Sequence, residues 1–328
     1  MMNAVFSELR EKALAGECLT RDECYRVLTC PDEDLEVLSG EVYRVRYAYK
    51  GNRVSVQILT NAKSGNCGQD CAYCAQSAAA KSGVASYPLA PFETLSRNAE
   101  IAREKGAGRH CIGLSGMTFT DAQIEELRGY VEKLKAQADT PICCSIGFLT
   151  IEQARRLKEA GVDRINHNLN TSRGFYKNIC GTHTFERRVE NIRMLKSLGF
   201  EICCGGIVGM GEGDEDVVDM LLEIRGLEPQ AVPINFLTPV KGTPLENADT
   251  SKLTPEYCVK VLSLVRLLIP RADIRCAAGR EKYIHHRQRF MFNAANSIFA
   301  AGYLTTGGQS IDEAIRLILD EGFSYEVE

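Results

Sequence analysis

From about residue 53 to its end, the chain alternates short apolar runs with amphipathic segments, and this alternation limits the fold more than any other feature. The runs VSVQILT, RHCIGLS, PICCSIGF, VDRINHNLN, EICCGGIVG, AVPINFLT, ADIRCAAG and AGYLTT predict eight strands. The segments between them read as helices with recognisable ends. Thr150 and Gln153 have capping-box spacing ahead of a helix that Gly161 closes, SIDEAIRLILDEGF repeats the pattern, and Thr254 precedes Pro255 at a first helical position. Strands separated by helices pair in parallel, which leaves an open doubly wound sheet or a closed barrel, and a count of eight favours the barrel. The expected fold is therefore α/β, a TIM-type (β/α)8 barrel over residues 51–328. Residues 1–50 are expected as an N-terminal helical extension, with a capping box at Thr20 and Glu23 and one apolar helical face at Leu35, Leu38, Val42, Val45 and Tyr49.

A formal net charge of -4 and a pI near 5.9 provide no overall basic surface, which argues against nucleic acid as the main partner. The N-terminal stretch alternates charges where a secretory leader is apolar, and no later run is long enough to span a bilayer, so a cytoplasmic protein without a membrane partner is expected. In that compartment the fourteen cysteines stay reduced. Cys18, Cys24, Cys30 and Cys258 lie in helical patterns and read as small buried hydrophobes.

CGQDCAYC, residues 67 to 74, places three of the remaining thiols on the loop that follows the first strand, at the end of a barrel where chemistry gathers. A structural zinc site needs four ligands, and the nearest histidine in sequence is His110, so zinc requires a distant fourth partner. An iron–sulfur cubane takes one cysteine per iron, and three cysteines leave one iron open to a ligand. Spacing alone leaves both readings standing.

C-x3-C-x2-C in this position resembles the signature of the radical S-adenosylmethionine enzymes. The resemblance implies that Cys67, Cys71 and Cys74 hold a catalytic [4Fe-4S] cluster whose open iron binds S-adenosylmethionine, with Tyr73 against the adenine. CAYCAQS, INHNLNTS, GGIVGMGE, VPINFL, KGTPL, AGRE and ANSIF followed by YLTTGG cover most of the chain and are similar to the biotin synthase branch of that family, which inserts sulfur into dethiobiotin. Asn166, Asn168 and Asn170 alternate with Ile165, His167 and Leu169, which on a strand gives the three amides one face. A carboxamide both donates and accepts, as a ureido ring and ribose hydroxyls require. By resemblance, Asn166 and Asn235 meet the ureido group, Asn168 and Asn170 the adenosyl moiety, and Ile207 the adenine. The family more usually has an acidic residue at the position of Asn170. GGIVGMGE lacks the Lys-Ser/Thr of a phosphate-binding loop, and His285 and His286 read as charged helix surface.

The same resemblance implies a second, sulfur-donating cluster, a [2Fe-2S] centre held by Cys111, Cys144, Cys203 and Arg275. Cys143, Cys204 and Cys276 stand beside three of these positions, and Cys180 lies in NICGTHT. Strand alternation expects the neighbours to face the helical layer as packing. The rival expectation makes Cys276 an alternative ligand of a larger cluster. Dethiobiotin, an electron donor such as flavodoxin or ferredoxin, iron–sulfur assembly machinery and a second copy in a homodimer are the partners the resemblance implies. A hydrogenase-cofactor maturase and a non-catalytic iron–sulfur or zinc scaffold are the alternative functions.

Overall fold

A computed structural model describes residues 2–106, 109–300, 302–305 and 307–325. Its strands are β1 (Arg53–Lys63), β2 (His110–Leu114), β3 (Ile142–Ser145), β4 (Arg164–Asn166), β5 (Glu201–Cys203), β6 (Gly206–Val208), β7 (Ala231–Phe236), β8 (Asp273–Cys276), β9 (Ser297–Ala300) and β10 (Ser324–Tyr325). Every pairing is parallel, in the order β1-β2-β3-β4-β5-β7-β8-β9, and β9 returns to β1 through Ser55 with Ser297 and Ile58 with Ala300. β5 and β6 occupy one barrel position, interrupted at Cys204 and Gly205, so the closed sheet has eight positions. A Cβ on Gly205 would lie 1.8 Å from the carbonyl oxygen of Pro233, so only glycine fits where β5 gives way to β6. β10 pairs outside the ring with the start of β1.

The fold is the expected barrel, with one strand displaced. The eighth position is filled by SIFA of β9, not by AGYLTT. Gly302, at φ 101°, turns the chain directly after the apolar run, and residues 302–305 form no strand. Ala301 and Thr306, the two ends of the expected segment, lie outside the described residues.

Helices α1 (Met2–Ala15), α2 (Arg21–Thr29) and α3 (Leu35–Lys50) precede the barrel. Around it run α4 (Phe92–Glu104), α5 (Asp121–Gln137), α6 (Ile151–Glu159), α7 (Tyr176–Ile179), α8 (Phe185–Ser197), α9 (Asp214–Gly226), α10 (Pro255–Leu268), α11 (Arg280–Tyr283), α12 (Gln288–Ala294) and α13 (Ile311–Asp320). Thr20, Thr120, Thr150 and Ser310 each form a capping box, so these helix starts are set by local chemistry. α10 is buried on every side because α1–α3 cover the face it turns away from the strands. Phe6, Leu38 and Val42 of the N-terminal helices share one apolar core with Leu262 of α10 and Phe292 of α12. Among the described residues no helix is long and apolar enough to cross a membrane.

Arg266 of α10 ties this layer to the N-terminal end of the strands. Fully buried, it donates to the carbonyls of Ala294 (2.9 Å), Pro270 (2.8 Å) and Ala272 (3.0 Å) and to Asn296 Oδ1 (2.7 Å). Replacing it leaves four acceptors without this donor, at about 1–3 kcal/mol for each one not recovered by water. Arg266→Met should destabilise the fold by roughly 3 kcal/mol or more in chemical denaturation; an unchanged midpoint would show that these bonds are dispensable.

Candidate active site

At the C-terminal ends of the strands a cavity of about 350 Å³ enters the barrel. Its mouth is shaped by the loop after β1. A turn from Cys74 N to Cys71 O (3.1 Å) tightens CGQDCAYC, and the side chain of Gln76 accepts from Gly65 N (2.9 Å), closing the loop on itself. Cys67 and Cys74 line the cavity. Cys71 is buried behind them, with its sulfur 3.9 Å from that of Cys180 in the loop between α7 and α8. The Cys71 thiol has one proton to share between Cys180 Sγ and Gln69 Oε1 and holds it tightly, and the Cys180 thiol lies against Asp70 Oδ1 (3.1 Å), with His183 and Thr182 beside it.

A single zinc ion draws every ligand to within about 2.3 Å of one point. Among the described residues no three or more histidine, cysteine or acidic side chains are grouped in that way. Three thiols of one short loop, two lining the cavity and one buried behind them, supply the donor type that a cluster taking one thiolate per metal uses.

Below the mouth the wall carries an apolar patch and four amides. Tyr73 and Ile207 pack into one patch with Ile179, Met210 and Leu237. Asn166, Asn168, Asn170 and Asn235 line the cavity as well, with Asn235 level with Ile207 on the neighbouring strand. The alternation expected for INHNLN holds for only part of its length: β4 ends at Asn166, and His167 lines the cavity beside the three amides, while Ile165 and Leu169 are core. Asn170 adopts φ 73°, a left-handed conformation that asparagine tolerates better than most residues. Its backbone bridges to Gly205 and Ile207, fixing the segment around which β6 forms. Asn168 Oδ1 accepts from Gly205 N at 2.9 Å, and Asn235 spans from Gly206 O (3.2 Å) to Ala278 N (3.1 Å). Asn166 Oδ1 is buried without a partner.

Arg188 and His167 were not among the expected site residues. Arg188 is only 7 % exposed and lines the cavity. Its guanidinium donates to Tyr176 Oη (2.5 Å), Asn168 O (3.1 Å) and Gln69 Oε1 (3.4 Å), and no carboxylate pairs with it among the described residues. A legible signal existed: Phe185, Arg188, Val189, Ile192 and Leu195 fall on one helical face, so this arginine stands in an apolar stripe. His167 is held neutral by burial, with Nε2 unpartnered.

Cys111, Cys143, Cys203 and Arg275 line the deepest part of the cavity, with Ala277 and Phe299. This corrects the expectation for β3. Cys111 is paired in register with Cys143, and residues level on neighbouring parallel strands point the same way, so Cys143 faces inward. Cys144 pairs with Ile112 and Ile165 and is fully buried in the outer core. Cys204 and Cys276 lie in that outer core too, where packing places them, and neither lines the cavity. Cys143 shares a hydrogen bond with Cys111 that holds the Cys111 thiol down and pushes its own up. Burial pushes Cys203 up to about 11, opposed by Arg275, whose Nη1 lies 3.9 Å from the sulfur. Arg275 is 2 % exposed, donates to Ser297 Oγ (3.1 Å), stacks on Phe299 at 4.7 Å, and has Nη2 unpartnered.

Residues 62–224 match the model of the radical SAM superfamily, and residues 233–324 match the biotin and thiamin synthesis associated domain. The chain is 43% identical over 318 residues to the biotin synthase of Geobacillus kaustophilus, covering 97% of this chain and 95% of that one. It is 40% identical over 319 residues to the biotin synthase of Bacillus subtilis, covering 97% and 95%. The chain belongs to the biotin synthase family. Membership makes it a sulfur-inserting radical S-adenosylmethionine enzyme, with a [4Fe-4S] cluster, S-adenosylmethionine and an auxiliary cluster as the family's cofactors. Methylornithine synthase (PylB) superposes with a TM-score of 0.83 at 21% identity, covering 97% of each chain. The hydrogenase maturase HydG of Carboxydothermus hydrogenoformans gives 0.82 at 18% identity, covering 98% of this chain and 79% of that one, so the barrel is common to different chemistries.

For a biotin synthase family member, the inward face of β3 has a direct test. Cys143→Ala should remove iron and sulfide beyond one four-iron cluster. Cys144→Ala should retain them and cost about 1 kcal/mol of stability through a small cavity. The opposite pattern in metal analysis would reverse the assignment.

Proposed function

We propose that this cavity converts dethiobiotin to biotin, with two cofactor sites stacked along the barrel axis. The observation that carries the reading is a pair of buried guanidiniums, Arg188 and Arg275, each beside thiols and neither paired with a carboxylate among the described residues. An uncompensated buried charge is costly, and the bound anions of this reaction would compensate both.

Cys67, Cys71 and Cys74 would hold the [4Fe-4S] cluster at the mouth. Cys111, Cys143, Cys203 and Arg275 would hold the auxiliary centre, of [2Fe-2S] type by resemblance. When bound, the first cluster with S-adenosylmethionine supplies a 5′-deoxyadenosyl radical that takes hydrogen from carbon, and the auxiliary centre supplies the inserted sulfide. The chain's own residues position and insulate that chemistry. Arg188 presents its fork between Gln69 and Asn168, where it would receive the methionyl carboxylate bidentately. Tyr73 and Ile207 offer an apolar slot for adenine, and Asn168 with Asn170 borders the ribose. Asn166, whose oxygen lacks a partner, would accept from a ureido N–H between the two cofactor sites. Asn235 bounds the same space while joining β6 to the loop after β8. Phe299, Leu59 and Tyr303 line the depth and exclude water.

Cys276 stands in the outer core, which supports three cysteines and an arginine at the auxiliary centre, without Cys276 as a ligand. The reading calls for a one-electron donor such as flavodoxin or ferredoxin, iron–sulfur assembly machinery, a cytoplasmic setting and, by family resemblance, a homodimer.

Anaerobically reconstituted protein with reductant and S-adenosylmethionine should form 5′-deoxyadenosine, and with dethiobiotin should form biotin. Cys67→Ala and Cys74→Ala should abolish both products; 5′-deoxyadenosine from either variant would refute the cluster assignment. Asn166→Ala should raise the KM for dethiobiotin on the order of ten- to a hundredfold, the equivalent of about 1–3 kcal/mol, and spare uncoupled 5′-deoxyadenosine formation. Asn235→Asp should depress both, because that amide also braces Gly206; selective loss of dethiobiotin binding would show that its bracing role is minor.

A further inference from the structure

The loop 180–184 does more than connect α7 to α8. It is zipped against the cysteine loop: Ala72 N donates to Ile179 O at 2.9 Å, and Asp70 accepts from the backbone of Gly181 (3.0 Å) and Thr182 (3.1 Å) and from Thr182 Oγ1 (2.9 Å). These bonds hold together two segments far apart in sequence. Between them lie the sulfurs of Cys71 and Cys180, 3.9 Å apart and each 5 % exposed. Cys67 and Cys74 face the cavity, whereas Cys71 and Cys180 do not line it. His183 Nδ1 lies 2.8 Å from Cys180 Sγ, within proton-transfer reach.

We propose that Cys71 and Cys180 form a redox modification site, in which a hydroperoxide oxidises the cluster-free chain to a Cys71–Cys180 disulfide that withholds Cys71 from the incoming cluster. A disulfide needs its sulfurs about 2.05 Å apart, so the pair must close by about 2 Å, a movement on the scale of side-chain rotation. The chemistry balances in two steps. Cys180 sulfur attacks one peroxide oxygen as His183 takes the thiol proton; the O–O bond breaks, and the leaving hydroxide recovers that proton as water, giving a sulfenic acid. Cys71 sulfur then attacks the sulfenic sulfur, the S–O bond breaks, and the thiol proton leaves with the hydroxide as a second water. The two thiols lose two electrons and the peroxide gains two. A dithiol reductant reverses the modification. Reversible closure would spare Cys71 from the sulfinic and sulfonic states that cannot be reloaded.

The pairing stands on the geometry alone, while its effect on loading rests on the proposed role of Cys71 as a cluster ligand. The test treats the full chain, stripped of iron under argon, with one equivalent of hydrogen peroxide, then blocks free thiols and maps peptides without reduction. A Cys71–Cys180 linked peptide should be the principal disulfide. Subsequent iron and sulfide addition without a dithiol should fail to develop the four-iron cluster's absorption and EPR signal, and prior dithiol treatment should restore them. Cluster-loaded protein should give no linked peptide. Cys180→Ser is close to isosteric and should lose the linkage and load normally after peroxide. Disulfides of Cys71 with Cys67 or Cys74, or equal loss of loading in Cys180→Ser, would overturn the proposal. A linked peptide with undiminished loading would uphold the pairing and overturn Cys71 as a ligand.

Discussion

The register of a closed parallel sheet is the constraint on which the rest depends. Once β9 meets β1, every strand is committed to a tilt and a level, and each residue is either inside the ring or against the helices. Cys111 level with Cys143, and Arg275 level with Ser297, are consequences of that commitment. A shift of one residue in β3 would exchange Cys143 for Cys144 at the cavity, so register decides which of the two thiols faces inward. The group of inward thiols deep in the cavity is thus written in strand register, and needs no loop to build it.

The mouth is built on a different principle. Its cysteines stand on a loop, where no ladder fixes them, and the loop is held by its own turns and by the segment after α7. Gln69 receives Arg188, and Asp70 receives the backbone of Gly181 and Thr182, so the two residues between Gly68 and Cys71 anchor the loop to two neighbours. Burial works against ionisation of the Asp70 carboxyl, but the hydrogen bonds it accepts from the Cys180 thiol, from Thr182 and from Gly181 N hold it down to about 2, which leaves it ionised through the neutral range. That anchoring lets one part of the loop face the cavity while Cys71 meets Cys180 behind it.

Charge organises the space between. Arg188 and Arg275 sit at two depths without acidic partners, and the cavity wall around them is made of amides, neutral imidazole and thiols. Such a wall stabilises an incoming anion without a competing fixed carboxylate. The N-terminal layer handles its own buried arginine in the opposite manner: all three nitrogens of Arg266 donate, to three backbone carbonyls and Asn296, in four hydrogen bonds. Arg266, with a partner for every nitrogen, and Arg275, with Nη2 unpartnered, lie at opposite ends of the strands.

Alternation of apolar runs with capped helices was enough to establish a parallel barrel, because period and capping are local properties of the chain. CGQDCAYC announced a group of thiols after β1 for the same reason: its three cysteines lie within one turn-forming segment. Four features depended on tertiary structure. The eighth strand moved from AGYLTT to SIFA, because the choice rests on which apolar run reaches β1 and β8 in register. Cys143 and Cys144 could not be told apart from within PICCSIGF, since a strand buried on both faces loses the polar alternation that marks its inside. Arg188 stands in the apolar stripe of α8, but which cavity that stripe faces was decided only by the packing of α8 against the barrel. Cys71 and Cys180 are 109 positions apart, and only the docking of two loops brings their sulfurs together, because spacing along a chain carries no record of contacts made through space.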